Sequence, residues 1–518
     1  MALAANFSIQ IKKSSLQSCF KEPLPGWAFL NRTNTNQTCF HNKLWAELGC
    51  FFKEPNLQLY KIKKNANIKG VAAVCGIAGI LYRYSESNQK LNWDEFLKEL
   101  QNVALSRVDI DNPPNEAVSA LEEKVSYLKE YQAFSAIWNN TELADRLQQA
   151  ADSVLKFEKH SKECILNSKT PLPTNLVENW NSLGVRLRDI AWTLSQDVLG
   201  NISRVRLILP DFVKTAGIDA WKITAVLNNM DRLEVRGRDS LGISVSLHFS
   251  SSQSFEDFCA TITRAGLEEE FTKRLKCPTL ENLSIRLDSH SLTAPSLMFI
   301  YKVSQEVGAL GDNVAAIRRH IKADHILWHA LGSKSVETNI WSHTRWASNG
   351  VINIANCHPV DEQTEPARLE NDHYWISGAL NGDVDNFQAL AQKVKLADNL
   401  AISPKITTDA KIIPVLVDYY YRRCHNLKQA FLQAVNEFEG SVAICLSSSL
   451  EPGRTYLALK GSGQSLFIGL CKQGYVFASE VYGLVEQTSR YIRLDGATEH
   501  IPGHPESAGQ IFILKDHG

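Results

Sequence analysis

The chain has 518 residues, 44% of them hydrophobic, enough to fill true cores in three or four domains of roughly 150 residues each. Lys+Arg 55 against Asp+Glu 56 leaves a formal charge of −1, a balance that calls for neither nucleic acid nor an anionic membrane as partner. Charge interrupts every apolar run well short of the ~18 residues a spanning helix needs, and the 11 cysteines form no CxxC pair and no His cluster at metal spacing, so reduced cytoplasmic thiols and no metal are expected.

Residues 1–74 hold ten Lys/Arg and three acids (Glu22, Glu47, Glu54), with no sustained periodicity and no apolar core of signal-peptide type. They read as an irregular extension: a propeptide, a targeting segment or a mis-assigned start. At Val74-Cys75-Gly76-Ile77-Ala78-Gly79-Ile80-Leu81-Tyr82 the texture turns apolar and strand-like, and the functional start is placed at Cys75. A largely helical region follows at about 90–215. Val118, Leu121, Val125, Leu128 and Phe134 keep one helical stripe, Leu143, Leu147, Val154 and Leu155 a second, and Leu183, Leu187, Ile190, Leu194 and Val198 a third. Pro113-Pro114 and Pro171-Leu172-Pro173 cut this region into pieces, which predicts a small helical bundle. From about Ala220 strands and helices mix. Strands are predicted near 243–247, 441–446, 456–459, 465–470 and 475–478, and a helix carrying Ile412, Ile413, Leu416, Val417 and Tyr420 inward opens with Asp409 as N-cap. Residues 503–518 read as a tail or linker stub, although Ile511-Phe512-Ile513-Leu514 has the pattern of one last strand.

Five segments stand out in order: Cys75-Gly76-Ile77-Ala78-Gly79; Leu233-Glu234-Val235-Arg236-Gly237-Arg238-Asp239-Ser240; His343-Thr344-Arg345-Trp346-Ala347-Ser348; Leu380-Asn381-Gly382; and Thr408-Asp409. Together they resemble the class II glutamine amidotransferases, which are N-terminal-nucleophile hydrolases, and within them the glutaminase domain of the glucosamine-6-phosphate synthase branch. The resemblance implies an α+β fold, a four-layer αββα sandwich over residues 75–502, here carrying a large helical insertion at 90–215. It implies no cofactor, L-glutamine as substrate, and a sugar-phosphate isomerase acceptor domain in a separate or continuing chain, because too few residues follow Asp495 to build one.

A Cys thiol of pKa ~8.5 is mostly protonated at neutral pH and needs a base. If Cys75 begins the mature chain, its own α-amino group, pKa ~8, is a base tethered to the nucleophile, and no histidine is required. Taken alone, Cys75 is equally a buried core thiol. By resemblance, the Asn381 side chain and the Gly382 N–H hold the tetrahedral oxyanion, a task commonly worth ~3 kcal/mol per donor; an Asn-Gly hairpin turn is the plainer alternative. Arg345 would grip the α-carboxylate of glutamine and Asp409 its α-ammonium, against a surface Arg and a helix cap. Trp346 would gate the pocket or pack in a core, Ser348 would contact substrate, and Arg236 would position Cys75 or pair with Asp239. The chain departs from the family pattern at Ser348-Asn349, where Thr-His is usual, at Leu380, where His is usual, and at Ala410-Lys411, where Thr-Glu is usual. A non-catalytic interaction module on the same fold is the rival reading.

Overall fold

The computed structural model describes residues 75–83, 91–278, 281–289, 294–304, 309–333, 337–347, 350–365, 374–499, 502 and 508–515. The expectations for residues 1–74, and for Ser348 and Asn349, fall outside these. Thirteen strands are described: β1 Gly76–Tyr82, β2 Ser240–His248, β3 Ile285–Asp288, β4 Ser296–Ser304, β5 Glu337–Arg345, β6 Val360–Asp361, β7 Ile376–Val384, β8 Gly440–Ser448, β9 Arg454–Lys460, β10 Phe467–Cys471, β11 Gly474–Ala478, β12 Tyr491–Arg493 and β13 Gln510–Lys515. They form an eight-stranded sheet, β12-β10-β11-β1-β5-β2-β4-β3, and a five-stranded sheet, β13-β9-β8-β7-β6. Every ladder pair is antiparallel. The fold is mixed, of the α+β kind expected.

The two-residue period of β1 decides what each face meets. Ile77 and Leu81 join Trp341 and Phe477 in a cluster shared with Ala379, Ala443, Cys445 and Leu457 of the other sheet. Ala78, Ile80 and Tyr82 point the opposite way, into a core shared with the helices between Trp93 and Leu233. Gly79 lies where β1 passes closest to its neighbours: a Cβ there would overlap the Phe477 ring and come within 2.8 Å of the Trp341 Cβ. On the five-stranded sheet, Leu380, Val384, Val442 and Ile444 pack against the helices Phe387–Asp398, Ile412–Cys424 and Leu427–Glu437.

The helical region runs further than its stripes predicted. Helices span Trp93–Ala104, Asn115–Tyr127, Tyr131–Trp138, Thr141–Leu166, Thr174–Trp192, Gly200–Ile208 and Gly217–Leu233, with a π-helical segment Thr193–Leu199 between two of them. The helix Gly217–Leu233 carries the chain past the expected change of texture at Ala220. Thirteen of its residues are buried, so it has no polar face for a periodicity to reveal. The first stripe belongs to two helices, since a turn at Leu128–Glu130 separates Val125 from Phe134. Leu155, assigned to the second stripe, is 43% exposed; Val154 and Phe157 take the buried face. At the other end, β13 pairs along β9 with Ile511 opposite Ala458, so the 510–515 segment is a strand and not a linker.

Candidate active site

The antiparallel register brings the site together. Gly76 pairs with Thr344, so Cys75, just before β1, lies beside Arg345, where β5 ends. Leucine 380, Asn381 and Gly382 arrive from β7 of the other sheet, and Asp409 from the turn before the Ile412–Cys424 helix. Cys75, Arg345, Trp346, Gly382 and Asp409 line one small pocket, with His358, Leu380, Thr408 and Ala410.

Cys75 is 7% exposed. Its Sγ accepts a hydrogen bond from the Trp346 N–H at 3.3 Å and lies 3.5 Å from the Trp346 carbonyl. Burial pushes the thiol up to about 11, against the lowering effect of that N–H and of the Arg345 charge. The Cys75 carbonyl accepts from Asn381 Nδ2 at 2.9 Å, which ties the peptide after Cys75 to the candidate oxyanion donor. Asn381-Gly382 is no hairpin turn: both residues lie within β7, and Gly382 takes φ +93, where a Cβ would overlap the Ser441 carbonyl oxygen.

Arg345 is buried, not a surface residue, and its Nη1 donates to the Val351 carbonyl at 3.3 Å. Asp409 is also buried, and burial raises its carboxyl above the ordinary range. It does not cap the helix as predicted. It is the first residue of a 3-10 turn, Asp409–Lys411, and its Oδ2 accepts from the Val384 N–H at 2.7 Å, because β7 ends against that turn. The Trp346 ring is 46% exposed at the pocket, which removes the core-indole alternative. Arg236 is not paired with Asp239: Asp239 Oδ2 accepts from the Ala347 N–H at 2.7 Å, while Arg236 pairs with Glu480 and donates to the Tyr482 hydroxyl at 3.2 Å. The neighbouring Ser479 exchanges two bonds with Ile77, at 2.9 and 3.1 Å, so Arg236 is linked to Cys75 through that strand.

Three residues at the site escaped the sequence reading. Asn356, fully buried, accepts from the Thr407 and Thr408 N–H groups at 2.8 and 3.1 Å and donates to the Val351 carbonyl at 3.0 Å. It thereby clips the turn bearing Asp409 to the loop that Arg345 holds. His343 and His358 stack with ring centroids 4.0 Å apart. His343 Nε2 donates to the Leu380 carbonyl at 2.8 Å, and the Leu380 N–H donates to His358 Nδ1 at 3.4 Å, so the pair fixes the residue before Asn381. Burial keeps both rings neutral, His343 lowered to about 3 and His358 well below its usual value. His343 lay inside a motif and His358 in Cys357-His358-Pro359, but nothing local in the sequence marks either as a neighbour of Leu380.

Among the described residues no group of three His, Cys, Asp or Glu could hold a metal ion, and no helix is long and apolar enough to cross a membrane.

No family model matches the chain. Among curated proteins it is similar to the glutamine–fructose-6-phosphate aminotransferase (isomerizing) of Clostridium acetobutylicum, 33% identical over 146 residues, 28% of this chain and 21% of that protein. The enzyme of the same name from Acidithiobacillus ferridurans is 31% identical over 153 residues, 30% of this chain and 23% of that protein. That from Clostridium perfringens is 29% identical over 193 residues, 37% and 29% of the two chains. The chain thus matches between a fifth and a third of the length of these relatives. Two solved structures align more loosely: an allosteric regulatory enzyme of purine biosynthesis, at TM-score 0.32 and 16% identity over 52% of this chain and 42% of that one, and a glutamine phosphoribosylpyrophosphate amidotransferase from B. subtilis, at TM-score 0.27 and 15% identity over 49% and 46%. The resemblance read from the five segments is therefore met by sequence similarity to enzymes named glutamine–fructose-6-phosphate aminotransferase, over between 28% and 37% of this chain.

Proposed function

We propose that the chain is the glutamine-hydrolysing part of a glucosamine-6-phosphate synthase-like amidotransferase. The observation that carries the reading is a single pocket lined by a Cys thiol, a buried guanidinium and a buried carboxylate, Cys75, Arg345 and Asp409. A free amino acid presents a carboxylate and an ammonium in complementary fashion. In this reading Cys75 Sγ attacks the side-chain amide carbon, the oxyanion is held by Asn381 and Gly382, ammonia leaves with a proton, and water releases glutamate from the γ-glutamyl thioester. Trp346 covers the bound substrate. Arg236 is a positioning residue acting through Glu480 and Ser479. The ammonia passes to a sugar-phosphate acceptor on a separate or continuing chain. In this reading the three larger apolar clusters are taken as the interfaces of an αββα N-terminal-nucleophile sandwich, with the insertion thickening one outer layer.

The base is the α-amino group of Cys75, so release of residues 1–74 is a condition of activity. Mapping the mature N-terminus by mass spectrometry, with glutamine hydrolysis measured in Cys75→Ala, tests the reading; full activity in that variant ends it. A second reading, a non-catalytic module on the same fold, draws on the thiol pushed up to about 11 and on the engagement of one of the two Asn381 amide donors by the Cys75 carbonyl. Retention of residues 1–74 with no glutaminase activity would favour it.

A further inference from the structure

A second cavity, of about 410 Å³, opens between the helices Gly200–Ile208, Gly217–Leu233 and Asp312–Ala323. Its volume falls within the ~300–1,000 Å³ of small-molecule sites. Four cations line it, Arg204, Arg318, Arg319 and Lys322, against one carboxylate, Asp231. Arg204 and Arg318 come from different helices, and neutral amides hold both. Arg204 Nη1 donates to Asn201 Oδ1 at 3.0 Å and Arg318 Nη2 to Asn228 Oδ1 at 2.6 Å. Those two asparagines are themselves joined at 2.7 Å and anchored on the buried Glu486, which is neutralised by Arg232. The guanidiniums are thus fixed in direction, and among the described residues neither forms a direct ion pair, the attraction of Asp231 and Glu486 reaching them only at longer range. Burial, and after it the neighbouring Arg204 charge, lower Arg318 to about 10, against the pull of Asp231 and Glu486. Two like charges placed side by side on a rigid polar frame are the arrangement a dianion would satisfy, because a fixed fork loses little entropy on gripping phosphate oxygens. Leu207, Ile208 and Val314 supply an apolar wall that a bare inorganic ion would leave unused.

We propose that this cavity, walled on one side by the last helix of the insertion, is a binding site for a small phosphate monoester, its phosphate between Arg204 and Arg318 and its organic body against Leu207 and Val314. The site stands apart from the Cys75 pocket and does not depend on what that pocket does.

The test is isothermal titration calorimetry of the full chain with ribose 5-phosphate, inorganic phosphate and ribose as probes at constant ionic strength. Saturable binding of ribose 5-phosphate, tighter than inorganic phosphate and absent for ribose, is expected. Arg204→Gln and Arg318→Gln should each weaken it by about tenfold or more. Arg319→Glu, on an exposed residue outside the packed amide network, should do the same and decides the matter if the other two variants fail to fold. Arg264→Gln, on the exposed face of another helix, should leave the affinity unchanged. The proposal is overturned if ribose 5-phosphate binds no tighter than ribose or inorganic phosphate, if Arg319→Glu binds as tightly as the parent chain, or if Arg264→Gln loses as much as the cavity variants.

Discussion

With residue 74 attached, the Cys75 nitrogen is an ordinary amide and the thiol must ionise unaided. A thiol at about 11 is ionised in about one molecule in ten thousand at pH 7, a cost of about 5 kcal/mol against about 2 for an unperturbed cysteine. Removing residues 1–74 by expressing the chain from Cys75, with the initiator Met processed off, adds an α-amine of pKa ~8 next to the sulfur. Its charged form favours the thiolate, and its neutral form takes the proton. The assay is the rate of Cys75 alkylation by iodoacetamide across pH, followed by peptide mass spectrometry. In the full chain the rate should climb without a plateau to about pH 11. In the shortened chain the inflection should move down by two units or more, and glutaminase activity should appear with it. An inflection in the full chain near the ordinary value of ~8.5 would refute the burial argument. Equal glutaminase activity in the two chains would refute the role of the amine.

Four further outcomes follow from named contacts. Burial raises the Asp409 carboxyl, and only its ionised form pairs with an ammonium, so kcat/KM for glutamine should fall on the acid side at a pH above the ~3.9 of a free aspartate; Asp409→Asn should raise KM and abolish that limb of the profile. Asn356→Ala leaves the Thr407 and Thr408 N–H groups without their acceptor, and should cost about 2–3 kcal/mol in chemical denaturation while raising KM with Cys75 alkylation unchanged. Glu486→Ala strands Arg232 in the interior and removes the anchor of Asn201 and Asn228, a loss of about 3–5 kcal/mol by the same measurement. In Gly242→Ala the new methyl overlaps the His358 carbonyl, which should cost about 1–3 kcal/mol and displace the stacked histidine pair, visible as a shift of the imidazole resonances.

The strands β1 and β8–β11 were legible because their apolar runs need no knowledge of the partner face, whereas β5 and β7, which bring Arg345, Leu380 and Gly382 to the pocket, were not predicted as strands. The site anchors Cys75, Arg345 and Asp409 were legible as members of ordered motifs, and they converge. What was hidden depends on distant neighbours. Asn356 matters because it bridges a loop and a turn about fifty residues away, and the His343–His358 pair because both rings reach one peptide of β7 from separate segments. The helix Gly217–Leu233 was misplaced because burial on all sides erases the period that identifies a surface helix. Asp409 has the composition of an N-cap, but the competing Val384 N–H, brought in by the sheet, takes its carboxylate. Leu155 was miscounted because four-residue steps from Leu147 through Ala151 reach it on paper, whereas the buried face runs on by three-residue steps through Val154 to Phe157.

The central claim is that Cys75 is the nucleophile and that the pocket it lines with Arg345 and Asp409 takes L-glutamine. A diazoketone analogue of L-glutamine, which alkylates a nucleophile only when seated by its α-carboxylate and α-ammonium, tests this directly when incubated with the chain beginning at Cys75. Intact-mass and peptide mapping should show one adduct, on Cys75, lost when excess L-glutamine competes and strongly slowed in Arg345→Gln. An adduct on another cysteine, or none under conditions where the free thiol reacts with iodoacetamide, would contradict the account.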